Sequence, residues 1–322
     1  MASSIPQLVS IAAALLGAGL FIVTLYVVDL DETIASAGRL GLALPIVLLP
    51  GALWHLLRTW GWSVAFPDDA RPSFTRIFRA RLAADAVGFF TVRGLAGEPL
   101  KVLLLYDRVP PEISTAAIAL ERLAFAIISV VIAGIVSLVA VARLEMTEAW
   151  DTLFRLLGIG AVLVVAILIV VARRRSEYYM EAFVGVLDRL TGKRLERNRV
   201  IRFILGVERV LLDLLRGGGR RLLILTLLPV VCYLLMTAEV WLVFRAVGLP
   251  MTITEALTVE TFARLASIAS AMVPGNIGTL EASNVAVVEA LGLAGGGSLA
   301  LARRVRALLW AGIGLALYPR VR

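Results

Sequence analysis

Pro274-Gly275-Asn276-Ile277-Gly278-Thr279-Leu280-Glu281 interrupts an apolar run from Ala263 to Leu293 that also carries Arg264. At bilayer depth, unpaired backbone groups and charges are expensive, so such a break persists where it lines a polar cavity or is buried in protein. The stretch therefore predicts a transport or substrate site built into a membrane domain.

The rest of the chain agrees with that setting. Hydrophobic residues make up 60% of the 322, and the mean hydropathy is +0.90. Segments of about 20 apolar residues are long enough to span, and they fall at 8–28, 42–66, 113–142, 152–172, 222–247 and 298–318. Two further stretches, 82–107 and 256–292, are interrupted by glycine, proline and charge and read as broken or re-entrant helix pairs. The expected fold is an all-α polytopic membrane protein with about six full spans and two broken elements, forming one integral membrane domain over 1–322. The first segment lacks a basic leading region and a small-residue cleavage site, so it reads as an ordinary span and not a signal peptide. The sole cysteine, Cys232, excludes an intrachain disulfide. His55 has no cysteine or histidine neighbours to complete a metal site. No metal or cofactor is expected.

Basic residues orient the chain, because short loops rich in Lys and Arg stay cytoplasmic. Residues 173–221 carry Arg173, Arg189, Arg199, Arg202, Arg209, Arg216 and Arg220 among others, and the 67–81 connection carries Arg71, Arg76, Arg79 and Arg81. Both then lie on the cytoplasmic side with both termini. Trp60, Trp62 and Phe66, and Trp150 on the opposite side, read as interfacial aromatic belts. The net charge of +8 falls on connections between spans, which points to anionic lipid head groups and not nucleic acid as the partner. Within 173–221, Phe183, Val186, Leu187 and Leu190, then Val200, Phe203, Ile204, Val207, Val210, Leu211 and Leu214, recur at helical spacing. They form amphipathic helices, either on the inner leaflet or packed on the bundle. This basic segment also offers a surface to lipid-synthesis enzymes, and self-association is compatible with the pattern.

The chain repeats its order of elements. Gly94 and Gly97 recur as Gly275 and Gly278, each 181 residues later, and each pair precedes an acidic residue, an apolar stretch and a span entered through charges. With the orientation above, the halves 1–142 and 222–322 are opposed, as in inverted-repeat carriers whose discontinuous helices hold a site near the midplane. The candidate ligands are Arg93, Glu98, Lys101, Glu121 and Arg122 around the first break, and Glu239, Arg264, Asn276, Glu281, Arg303, Arg304 and Arg306 around the second. Glu260 lies near the second break as well. Arginine donates paired hydrogen bonds to phosphate and keeps its charge. Gly94, Gly97, Pro274, Gly275 and Gly278 are the candidate hinges. No nucleophile and base occur at a recognisable spacing, so no enzyme is expected. The alternatives are a membrane enzyme acting on an isoprenoid or glycolipid, with Glu98 or Glu281 as general base, and a non-transporting scaffold.

Gly94-x-x-Gly97-Glu98-Pro99, Glu121-Arg122-Leu123 and Val273-Pro274-Gly275-Asn276-Ile277-Gly278-Thr279-Leu280-Glu281 resemble the transmembrane, flippase-like region of the lysylphosphatidylglycerol synthase family. The likeness runs from the second span to the last. It implies movement of a polar- or anionic-headed lipid, such as a phospholipid, an aminoacylated lipid or a hopanoid, between leaflets of the bacterial cytoplasmic membrane. The soluble domain that attaches the amino acid in two-part synthases has no counterpart in this sequence, so synthase activity is not expected. Asn276 and Thr279 occupy variable places of the motif and leave head-group preference open.

Overall fold

The computed structural model describes residues 38, 40–89, 97–173, 179–191, 198–216, 218–270, 273 and 278–318. Among them are eleven α-helices and no strand. These are α1 (Leu44–Ala65), α2 (Phe74–Phe89), α3 (Gly97–Leu105), α4 (Pro111–Arg143), α5 (Glu148–Arg173), α6 (Tyr179–Thr191), α7 (Arg199–Arg216), α8 (Gly219–Ala246), α9 (Ile253–Ala269), α10 (Thr279–Ala290) and α11 (Gly296–Ala316). The expected first span, 8–28, lies outside the described residues.

Local chemistry sets the helix ends. Pro111 opens α4, where a missing N–H costs nothing because the first turn has no partner for it. Thr252 and Glu255 form a capping box at α9: the Thr252 hydroxyl accepts from the Glu255 N–H at 3.3 Å, and the Glu255 carboxylate accepts from the Thr252 N–H at 2.6 Å. Inside α1 and α8, Pro50 and Pro229 each remove one helical hydrogen bond.

The bundle turns apolar side chains outward and charges inward. On α1, Ile46, Leu49, Leu53, Leu56 and Trp60 follow one exposed helical stripe, and on α5 the exposed row includes Leu156, Ile159 and Leu163. Arg58, Arg81, Lys101, Glu121, Glu239, Glu260, Arg303 and Arg304 are buried. Among the described helices, α4, α8 and the Glu148–Ile167 part of α5 are long and apolar enough to cross a membrane. The segments expected at 42–66 and 298–318 form α1 and α11, which carry His55 and Arg58, and Arg303, Arg304 and Arg306.

The packing of the helices falls into matching pairs. α1 packs along α8 at the centre. Around that pair α1 meets α2 as α8 meets α9, α2 meets α3 as α9 meets α10, and α3 meets α4 as α10 meets α11. The two groups also exchange contacts, α2 lying on α11 and α9 on α4. The α2–α11 crossing is close, since a Cβ added at Gly314 would stand 2.2 Å from the Leu82 carbonyl oxygen. Two apolar clusters flank the charged interior. One contains Trp62, Phe66, Ile77, Leu105 and Leu120, and the other Val240, Phe244, Val259, Val287 and Leu299.

Three expectations need correction. Trp62 and Phe66 are core residues and not interfacial anchors, because the α2, α3 and α4 ends close over them. Arg76, Arg79 and Arg81 stand on α2 and not in a loop, and Arg81 is 2% exposed. Charge alone assigns such residues to water, but a buried acidic partner, Glu121, holds Arg81 inside. The broken elements also begin earlier than 82 and 256, at Phe74 and Ile253. Of the two amphipathic helices, α7 packs on α4 with Leu205 and Leu214 buried, whereas α6 exposes Phe183, Val186 and Leu190.

Candidate functional site

The buried charges form two clusters, one in each matching group of helices. In the first, Glu121 of α4 accepts from Arg58 Nη2 of α1 at 3.1 Å, and its Oε1 forms an ion pair with Arg58 Nε at 2.8 Å. Arg81 of α2 stands 3.7 Å from the same carboxylate and donates to the Arg58 carbonyl at 2.9 Å. Asp85, one turn further along α2, pairs with Arg81 at 3.5 Å and with Lys101 of α3 at 3.0 Å. Lys101 also donates to Glu98 at 3.2 Å, and Arg122 pairs with that same Glu98. Adjacent positions on a helix project about a third of a turn apart. Glu121 accordingly turns inward while Arg122 keeps 47% of its side chain exposed.

In the second cluster the hub has the opposite sign. Arg303 of α11 donates to Glu260 of α9 and, at 2.9 Å, to Asn284 of α10. Arg264 donates to Glu260 at 2.6 Å. Arg306 pairs with Glu239 of α8, and Arg304 donates to Glu281 at 2.7 Å through Nε. The first cluster sets Arg58 and Arg81 around Glu121; the second sets Glu239 and Glu260 on the side of α11 that carries Arg303 and Arg306. Along the chain, Arg58 and Glu239, Arg81 and Glu260, Asp85 and Arg264, Glu98 and Glu281, Glu121 and Arg303, and Arg122 and Arg304 stand 179 to 183 residues apart.

Phe125 joins the two. The Arg58 guanidinium lies 3.9 Å from its ring centre and that of Arg264 5.8 Å, while Arg264 also covers Tyr233 at 4.4 Å. Cation–π contact holds both arginines at one aromatic ring without neutralising them. Beside Phe125 a narrow crevice lies between α1, α4 and α8, lined by Arg58, Glu121, Pro229 and Cys232 among others.

The structure thus gathers Glu98, Lys101, Glu121 and Arg122 in one cluster and Glu239, Arg264, Glu281, Arg303, Arg304 and Arg306 in the other. Arg93, Gly94, Pro274, Gly275 and Asn276 lie outside the described residues. Gly97 opens α3 where a Cβ would stand 2.9 Å from the Ala84 carbonyl oxygen, so it is a point of close packing. Gly278 precedes α10 with φ +75°, a conformation natural to glycine. Sequence reasoning missed Arg58, Arg81 and Asp85. Arg58 was visible as an unexplained charge inside an apolar span, and Arg81 with Asp85 as an i,i+4 pair of opposite charge. Among the described residues, no group of three or more His, Cys, Asp or Glu side chains is placed to hold a metal ion.

The arrangement can neutralise and relay charge within an apolar bundle, and it defines an all-α multi-pass membrane protein with an ionic interior. The sequence pattern of the family described as the lysylphosphatidylglycerol synthase TM region matches residues 8–316, and the chain belongs to that family. This makes it a membrane protein of lipid metabolism or transport. No curated protein and no solved structure matches the chain.

Proposed function

We propose that this chain is a lipid transporter, a carrier and not an enzyme, that moves a polar- or anionic-headed lipid between leaflets of the bacterial cytoplasmic membrane by alternating access. The observation that carries the reading is the pair of ionic clusters of inverted hub sign that meet at Phe125. Buried ion pairs cost desolvation energy and are rarely the most stabilising choice, so a bundle that keeps this many uses them for something besides stability. Matching clusters on opposed halves supply what a carrier needs, two alternative sets of contacts around one path.

An anionic head group fits the charge count. Arg58, Arg81, Lys101 and Arg122 exceed Asp85, Glu98 and Glu121 by one, and Arg264, Arg303, Arg304 and Arg306 exceed Glu239, Glu260 and Glu281 by one. The head group exchanges with internal carboxylates: Glu98 and Glu281 hold Arg122 and Arg304 when the path is empty. The test is movement of labelled anionic, aminoacylated and hopanoid lipids by purified protein in liposomes. Arg122→Ala and Arg264→Ala should each abolish movement while expression persists. Preserved movement in both variants removes the proposed site, and no movement by the parent chain removes the transport reading.

A further inference from the structure

Three nitrogen atoms near the middle of α1 and on the facing side of α11 are buried without a hydrogen-bond partner among the described residues: Trp54 Nε1, His55 Nδ1 and Trp310 Nε1. Their rings touch in series. Trp54 and His55 meet edge to face at 4.8 Å between centres, and His55 and Trp310 at 4.4 Å. One turn earlier, Gly51 leaves its backbone bare, and a Cβ there would meet Arg306 Cδ at 2.7 Å and Trp310 Nε1 at 3.7 Å. Arg306 and the Trp310 N–H therefore share one small space against α1. Arg306 uses Nη1 on Glu239 and the Met236 sulfur, and 23% of its side chain stays exposed.

A buried donor without a partner is costly, and the two indole N–H groups call for an occupant that supplies acceptors. An indole N–H and a guanidinium only donate. A hydroxyl-rich group would bring donors of its own into a wall of donors, whereas a phosphodiester presents oxygen acceptors alone. The position also matters. Tryptophans that anchor at a membrane surface turn their N–H to water. Trp54 and His55 are residues 11 and 12 of the 22 in α1, far from both ends of the helix. The flanking Leu53, Leu56 and Leu309 are exposed, so apolar side chains on the surface of the bundle border the seam.

We infer that Trp54, His55, Trp310 and Arg306 form a phosphoryl-binding station, entered laterally by a lipid whose phosphodiester accepts from the two indoles and the guanidinium. The inference rests on the lipid reading above and deepens it, placing a halfway site at the α1–α11 seam, apart from the Phe125 meeting point.

The test uses the indole N–H resonances of the full-length protein in detergent, titrated with dioctanoyl phosphatidylglycerol, dioctanoylglycerol or inorganic phosphate. Phosphatidylglycerol should move the Trp54 and Trp310 resonances downfield and leave Trp60, Trp62, Trp150 and Trp241 in place. An equal response to dioctanoylglycerol overturns the phosphoryl assignment. A response to inorganic phosphate alone overturns a lipid as the source, and silence in every titration overturns the station. Trp54→Phe with Trp310→Phe keeps an aromatic ring at each position and removes both donors, and it should weaken phosphatidylglycerol binding by about tenfold or more. Unchanged affinity in that variant also overturns the proposal. Shifts in a protein that moves no lipid in liposomes would leave this site standing and remove the transport reading; lipid movement without shifts does the reverse.

Discussion

Glu121 shows how one carboxylate organises a buried site. With 6% of its surface exposed, it accepts from Arg58 and stands beside Arg81, so its negative charge is what keeps two arginines together out of water. Removing one partner of a buried pair costs roughly 3–5 kcal/mol, because the remaining charge is left uncompensated. Glu121→Ala is therefore expected to lower the thermal midpoint in detergent sharply, while Arg58→Leu combined with Glu121→Leu recovers much of the loss. Equal melting of Glu121→Ala and the parent would show that solvent or lipid already screens Arg58 and Arg81. Arg303 is the same device with the sign reversed, a cation held by Glu260 and helped by Asn284. Sequence reasoning reached Glu121 and Arg303 because charges in apolar runs are conspicuous. It lost Arg81 because a cluster of arginines near a helix start looks like a cytoplasmic loop until the partner across the bundle is known.

At the scale of elements, what could be read from the sequence was whatever is encoded locally. The apolar spans and the two interrupted stretches are properties of contiguous residues; spans appear as α4, α5 and α8, and the pairs α2–α3 and α9–α10 flank the interruptions. Which faces meet was not encoded locally, so Trp62 and Phe66 could not be told from surface anchors. Two substitutions probe these elements. Thr252→Ala removes the hydroxyl that caps α9 and should cost about 1 kcal/mol, read as a small fall in melting temperature with transport retained. Gly314→Val should do far more, because its side chain must enter the space of the Leu82 carbonyl, which is backbone, and of the Ala86 methyl, neither of which can swing aside. A Gly314→Val protein that melts like the parent would mean that α2 and α11 are held less tightly than their contact implies.

For the whole molecule the decisive question is whether the matching halves exchange roles, and the chain carries its own reporter. Cys232 is the sole cysteine; it is fully buried on α8 and lines the crevice with Arg58 and Glu121. A thiol there reacts with an aqueous maleimide only when the α1–α4–α8 seam opens, so the labelling rate measures opening without any engineered residue. If the Glu121 hub closes the path to one side and the Glu260–Arg303 hub closes it to the other, breaking either one biases the protein toward the state that the intact hub stabilises. Glu121→Ala and Glu260→Ala should then both speed Cys232 labelling, by about tenfold for each roughly 1.4 kcal/mol of bias. They should do so from opposite faces of sealed proteoliposomes when an impermeant reagent is supplied on one side at a time. Faster labelling from the same face in both variants would assign the two hubs to a single gate. No acceleration in either would make the clusters structural ion pairs, and the sign inversion between them would then need an explanation other than alternating access.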